Sequence, residues 1–377
     1  MQIESCASLS QWQPDAWNQL IGSDYPFAQH GFLSSLEDSG CVSAETGWQP
    51  AHHVLKNTDG ELLSALPFYL KSHSSGEYVF DWEWANACQR AGIRYYPKGL
   101  CAIPFSPVQG PRLLGDPAHH AALIGTLEDD VQQGLLSGIH INFTGAAEQQ
   151  VLQDRPLWLP RTGCQFHWYN AQYRDFQDFL DRLTSRKRKQ FRKERQQVEH
   201  AHLQCEWRQA QSLSEAEWDF IYTCYSRTYY VRRQAPYLTR DFFSLLAQRL
   251  GHCVSILWVT RHAKPVAMAL FLQDQSTLYG RYWGCIEEVE FAHFEACLYQ
   301  GIERAISLGL QCFDAGAQGE HKLIRGFEPV LTESWHYLGH EGLRNAVANV
   351  LSQEHMQVLE YAAAARQALP YKMLDAE

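Results

Sequence analysis

Between Asp314 and Arg325 the chain reads DAGAQGEHKLIR, which sets two acids, a histidine, a lysine and an arginine among two glycines. Gly316 and Gly319 permit positive φ or a close approach of backbone to ligand, so both are candidate substrate contacts. Lys322 or Arg325 could hold negative charge as it develops on a carbonyl or phosphate oxygen, an effect that is large in dry sites. Asp314 or Glu320 could orient or deprotonate an amine nucleophile. The plainer alternative makes Asp314 a turn-former and Lys322 a surface charge. The stretch is not a P-loop, because GxxxxGK[ST] is absent, nor a nucleophile elbow, because the chain has no GxSxG.

A second concentration of charge lies upstream, where eight basic residues from Arg182 to Arg195 meet one acid, Glu194. Arginines in register attract polyanions and pair bidentately with phosphate. Arg186, Arg188, Arg192 and Arg195 are therefore expected either to contact a nucleotide pyrophosphate, tRNA or an anionic head group, or to form a solvated helix face. A third segment, YYPKGLCAIPFSPVQGPRLL (95–114), places Lys98 and Arg112 in a proline- and glycine-rich run that either shapes a pocket or stiffly joins strands. FDWEWAN (80–86) offers Asp81, Trp82, Glu83 and Trp84 to a sugar or peptide, or its tryptophans to the core. The close histidine pairs lack HExxH and the chain lacks GxGxxG, so neither a metal nor a bound dinucleotide is expected.

The elements that must position these groups are legible from hydrophobic period. VSILWVT (254–260), VAMALFLQ (266–273) and TLYGRYWGC (277–285) read as three strands, with RHAKP turning between the first two. Residues 292–308 carry apolar side chains at Phe294, Cys297, Leu298, Ile302, Ala305 and Ile306, a helical stripe that Gly309 should end. QCFDAG (311–316) is then a strand that delivers Asp314 to its carboxyl end, where open α/β sheets place ligands. The first half repeats this order: HHVLK (52–56), a turn at Asn57–Gly60, ELLSALPFYLK (61–71), a strand YVFDW (78–82), a helix over Pro117–Gly134 and the strand IHINFT (139–144). Between the halves, Asp175 should cap a helix with the face Phe176, Phe179, Leu180 and Leu183, and Thr184 or Ser185 a second, basic helix ending near His200. Leu203, Cys205 and Trp207 then alternate as a strand.

A chain of 377 residues exceeds what one core usually serves, so two domains are expected, 1–165 and 166–377. Hydrophobic residues at 45% and charged residues at 20% describe a globular protein, and the net charge of −10 argues against coating DNA. Eleven scattered cysteines without a CxxC suit a reducing compartment. The first residues, MQIESCASLSQWQPD, lack the basic and apolar regions of a signal peptide, and no apolar run is long enough for a membrane span. A cytoplasmic protein is expected.

The strand–loop FDAGAQGEHKLIRGF (313–327), following a helix that ends SLGL, resembles the end of the GNAT-like domain in Fem-type peptidyltransferases. SRKRKQFRKERQQVEHAHLQCEW (185–207) resembles the basic helix and strand that open that domain. Together with PFSPVQGPRLL and APYLTRDFF (235–243), these segments are most similar to the FemAB-like branch of predicted N-acyltransferases. The resemblance implies an α/β protein of two tandem GNAT-like domains, mixed sheets flanked by helices, with a ligand cleft between them. It puts Asp314, Gly316, Gly319, Lys322, Gly326 and Phe327 on the family's strand–loop motif, and Arg186, Arg188, Arg192 and Arg195 on its basic helix. It further implies transfer of an acyl or aminoacyl group to an amine of a peptidoglycan-related acceptor, with no covalent enzyme intermediate and no tightly bound cofactor. The co-substrate would be acyl-CoA or aminoacyl-tRNA, although the pyrophosphate signature [RQ]xxGx[GA] and the long Lys/Glu-rich hairpin of some Fem proteins are both absent. The alternatives are a non-catalytic module that recognises a cell-wall peptide, glycan or nucleotide-linked precursor, and an RNA-binding factor.

Overall fold

The computed structural model describes residues 1–317 and 319–372. They form two compact units. The first takes Met1–Gly163, Tyr237–Phe242 and Leu331–Glu360; the second takes Cys164–Pro236, Phe243–Val330 and the chain from Tyr361 onward. The chain changes unit at Gly163 and returns to the first unit twice, so neither unit is a continuous segment such as 1–165 or 166–377.

Strands β1 (Gln2–Cys6), β2 (Trp48–Pro50), β3 (His52–Lys56), β4 (Leu62–Leu66), β5 (Tyr69–Lys71), β6 (Lys98–Cys101), β7 (Leu114–Gly115) and β8 (Gly138–Ile141) belong to the first unit. They lie in the orders β1-β3-β4-β7 and β8-β6-β5-β2. The single strand expected over 61–71 is broken, because Pro67 has no N–H to give a ladder, and its two pieces join different sheets. The strand expected at 78–82 is absent: Gly76 and Tyr78 both take positive φ, and a helix starts at Trp82. Its place in the element order is filled by β6, which runs parallel to β8 with the helix His120–Gln132 between them. Leu66, Phe68, Leu123, Leu127, Ile139 and Ile141 bury the contact of that helix with the sheets.

Strand β9 (Trp158–Tyr169) leads into the second unit, which continues with β10 (Leu203–Gln209), β11 (Val254–Arg261), β12 (Lys264–Gln273), β13 (Thr277–Cys285) and β14 (Cys312–Asp314). Their order is β10-β11-β12-β13-β14-β9, antiparallel except for the parallel pair β13/β14. Strand β15 (Glu328–Leu338) then carries the chain back to the first unit, where Trp335–Leu338 pair with β8. The helical run Ala292–Ser307 joins β13 to β14 and ends as its apolar stripe requires. Gly309 sits at φ +66°, and the N–H groups of Gly309 and Leu310 bond the carbonyls of Ile306 and Ala305, the two bonds of a Schellman stop. Asp175 caps the helix Phe176–Arg182 through the Asp178 N–H at 2.8 Å, and the basic helix spans Ser185–His200. Phe179, Phe191, Leu257, Phe271, Leu278, Ile302, Phe313 and Phe327 make the core of this unit.

Lys98 and Arg112, expected at a ligand site, are instead fully buried fastenings of the first unit. Lys98 Nζ donates to Ser74 Oγ and Glu77 Oε2, both at 2.9 Å, and to Asp81, which also accepts the Tyr95 hydroxyl at 2.6 Å. Arg112 donates to the carbonyls of Asn142, Gly110, Pro111 and Val108, and Glu148 accepts the N–H groups of Arg112 and Leu113. Of the tryptophans at 80–86, Trp84 is buried and Trp82 is exposed. Removing one partner of a buried ion pair leaves the other charge without compensation. Lys98→Met should therefore lower stability by about 3–5 kcal/mol, read from the urea midpoint, and Lys98→Met with Glu77→Gln and Asp81→Asn should recover a large part of it.

Candidate active site

Strands β13 and β14 bond only from Thr277–Tyr279 to Cys312–Asp314. Past that point β13 continues along β12, whereas the chain after Asp314 turns away through Gly316 at φ +88°. The strands thus part at Asp314, where the charged loop begins. The β12/β13 register also shifts here: Leu270 faces Tyr282 and Phe271 faces Gly280, which leaves Arg281 as an extra residue. Such a bulge re-aims a side chain. Arg281 meets Asp314 with Nη2 to Oδ2 at 2.7 Å and Nη1 to Oδ1 at 3.5 Å.

Asp314 is almost wholly buried. Burial alone would raise its pKa, but Arg281, His167 and the Gly316 N–H at 2.8 Å hold it well below the usual carboxylate range. A carboxylate so acidic is a poor general base. Its role in this geometry is to organise the loop.

Lys322 is buried on the short 3-10 turn Glu320–Arg325. Its Nζ donates to the Gly316 carbonyl, its one hydrogen bond among the described residues. Burial pushes its pKa down to about 8, with Asp314 opposing and Arg281 adding to the fall. Close by, a cavity of about 110 Å³ opens between β12, β13 and the helical run, lined by Phe271, Arg281, Trp283, His293, Cys297 and Ala315. Cys297 sits on a π-helical segment, Glu295–Tyr299, a form that recurs at functional sites. Burial raises the Cys297 thiol pKa far above its ordinary value, so it is no ready nucleophile.

The other expected contacts fall elsewhere. Arg325 donates to Glu194 at 2.8 Å, the Tyr299 hydroxyl at 2.9 Å and the His321 carbonyl at 2.9 Å, with its guanidinium 3.6 Å from the centre of the Phe294 ring. All this ties the loop to the basic helix and fixes the turn that carries Lys322. Phe327 is a core residue against Phe313, not a surface for substrate. Glu320 is exposed and accepts from the Tyr361 hydroxyl at 3.4 Å. Gly319 takes φ +115°, and a Cβ there would strike the His321 ring.

Within the basic helix, Arg195 pairs with Glu295 at 2.9 Å and Glu303 at 2.8 Å, and Arg188 bonds the carbonyls of Asp181 and Leu183. Arg192 bonds Gln177 yet stays exposed, as do Arg186, Lys189 and Lys193. Sequence reasoning missed Arg281, His293 and Cys297. Arg281 did carry a signal, a lone charge between Gly280 and Gly284 in an aromatic strand, where isolated glycines mark bulges.

Set beside solved structures, the chain is similar to FemX, at 11% identity and TM-score 0.51 over 92% of this chain and all of that one. It is similar also to L-PGS from Bacillus licheniformis, at 10% identity and TM-score 0.51 over 84% of this chain and 94% of that one. A C-terminal domain from Agrobacterium fabrum aligns at 10% identity and TM-score 0.53 over 90% and 96% of the two chains. At such identities the likeness is one of fold, and the mixed sheets flanked by helices agree with the α/β class expected from the sequence. No curated protein matches the sequence. The sequence model of the FemAB-like family, described as acting in peptidoglycan biosynthesis or recognition, matches residues 8–373, and the chain belongs to that family.

Proposed function

We propose that the protein is an N-acyltransferase that moves an acyl or aminoacyl group from an activated ester or thioester to an amine of a peptidoglycan-related acceptor. The observation that carries this reading is the parting of β13 and β14 beside a buried lysine whose pKa lies near 8. A neutral amine attacks the carbonyl carbon, the carbonyl oxygen takes up negative charge, and collapse expels the alkoxide or thiolate, which takes the proton that the nitrogen sheds and leaves as the alcohol or thiol. The Lys322 ammonium keeps two N–H groups beyond its bond to Gly316 and serves as the stabiliser of that oxyanion. Arg281 and Asp314 cancel each other's charge and hold the loop. A protonated Cys297 suits direct transfer without a covalent enzyme intermediate. The cavity is smaller than the ~150 Å³ that holds benzene, and so favours a short acyl group. Acyl-CoA or aminoacyl-tRNA would supply that group, with the donor's phosphates on the exposed row Arg186, Lys189, Arg192 and Lys193. No helix among the described residues is long and apolar enough to cross a membrane.

The direct test incubates the protein with acyl-CoA or charged tRNA and an amine-bearing muropeptide, and weighs the acceptor by mass spectrometry. A gain equal to the acyl group is expected. Muropeptides that raise the melting temperature while neither donor is ever consumed would point to a binding module instead.

Lys322→Ala should lower kcat by about 100–1,000-fold, the usual loss for an oxyanion donor. The lysine's folded pKa of about 8 lies below its ordinary 10.5, so the ammonium is lost as pH rises through 8 and kcat should fall there. Lys322→Arg, which stays charged, should abolish that alkaline fall even if its rate is lower. A rate that climbs through pH 8 in the native protein but not in Lys322→Arg would make Lys322 the base rather than the charge stabiliser, since a climb from the acceptor amine persists in both.

For the donor, Arg186→Ala, Lys189→Ala and Lys193→Ala together should flatten the salt dependence of tRNA binding by about 2–3 in log K against log salt. An unchanged slope would remove the helix from donor binding.

A further inference from the structure

A second cleft, open on one side, lies wholly among residues of the first unit and plays no part in the transfer chemistry proposed above. It is a cleft of about 360 Å³ between the start of β9, strand β15 and the C-terminal helix Glu341–Gln367. Leu159, Pro160 and Leu351 give it apolar walls. The helix meets it at Ala348, Leu351, Ser352 and His355, positions that share one helical face.

The polar groups at the cleft are unequal. Thr162 Oγ1 and His355 Nδ1 are 2.8 Å apart and bond each other, so much of their capacity is spent within the wall. Glu333 is different. Its main-chain carbonyl holds Thr144 through both N–H and hydroxyl, which fixes the strand, while its carboxylate has no basic nitrogen within ion-pair distance among the described residues. The neighbouring arginine, Arg161, is engaged with Glu354 at 3.0 Å and with the Phe80 carbonyl. Burial raises the Glu333 pKa above the ordinary value, opposed by the Trp335 indole and by His355 on the facing helix. A half-buried carboxylate beside an indole N–H but with no cation on it, at a cleft with apolar walls, is complementary to a molecule that brings its own positive charge.

We infer that this cleft binds a small primary amine, its ammonium on Glu333 and its apolar body against Leu159, Pro160 and Leu351. The volume is at the small end of natural ligand sites, about 300–1,000 Å³, and is more than twice that of a benzene-sized cavity at ~150 Å³. One ring with a short arm fits that measure. The charge chooses amines over acids, and the walls choose apolar bodies over sugars or polyamines.

The test is calorimetric titration of the full chain at pH 7.5 and low salt with 2-phenylethylamine, 2-phenylethanol and 3-phenylpropionate. Saturable one-site binding of the amine is expected, at least about tenfold tighter than either analogue, the step worth one charge-assisted contact. Glu333→Gln should erase the preference for the amine while retaining weak binding of the alcohol. Ser352→Trp, on an exposed helix position, should fill the cleft and abolish all binding, and Ala348→Phe provides a second filling variant; both are checked for an unchanged melting temperature. Absence of saturable amine binding, equal binding of amine and acid, or binding that survives both filling variants overturns the inference.

Discussion

A carboxylate at the end of a strand and out of water persists only if a cation meets it. Asp314 is that carboxylate, and Arg281 reaches it because β13 carries one residue more than β12 at that point. Side chains alternate faces along a strand, so a one-residue change of register decides which face a given residue serves. The carboxylate in turn fixes the Gly316 N–H, and the Gly316 carbonyl receives Lys322. Bulge, ion pair, glycine turn and lysine form a series in which each member holds the next. The depressed pKa of Lys322 belongs to the same arrangement: Asp314 offsets some of the cost of burying the lysine, while Arg281 keeps that offset incomplete.

The two units use the same connection to different ends. In each, a strand, a helix and a second strand parallel to the first make a crossover, β6 to β8 in one and β13 to β14 in the other. The first crossover stays closed. Asn142 N–H, just past the end of β8, bonds the Cys101 carbonyl, a bridge joins Gly110 to Thr144, and Lys98 and Arg112 are sealed among internal partners. The second crossover opens after three paired residues and presents its charges at the opening. Duplicated topology with one closed and one open copy is consistent with chemistry concentrated in the second unit.

What could be read from the sequence was what is settled locally. Strands β11 to β14, the helical run with its Gly309 stop and the Asp175 cap depend on residues within a few positions of one another, and they formed where expected. The strand predicted at 78–82 failed because its alternation was local while its surroundings were not: Asp81 is held by Lys98 and Tyr95. The same blindness governs the charges. Arg325 meets Glu194 from 131 positions away and Arg195 meets Glu295 from 100, so nothing nearby in the chain distinguishes these arginines from the exposed Arg186. The return of Leu331–Glu360 to the first unit is illegible for a similar reason, since it rests on pairing with residues far off in the chain.

Glu194, the lone acid in a run of bases, has a mechanical meaning. The helix Ser185–His200 turns its free cations outward and Glu194 inward, and Glu194 holds both Arg325 and the Tyr299 hydroxyl. One helix therefore carries a row of exposed cations on one side and, on the other, the fastening of the turn that bears Lys322. The width of one helix is all that separates the exposed cations from the fastening of the lysine's turn, so the helix ties its charged face to that turn.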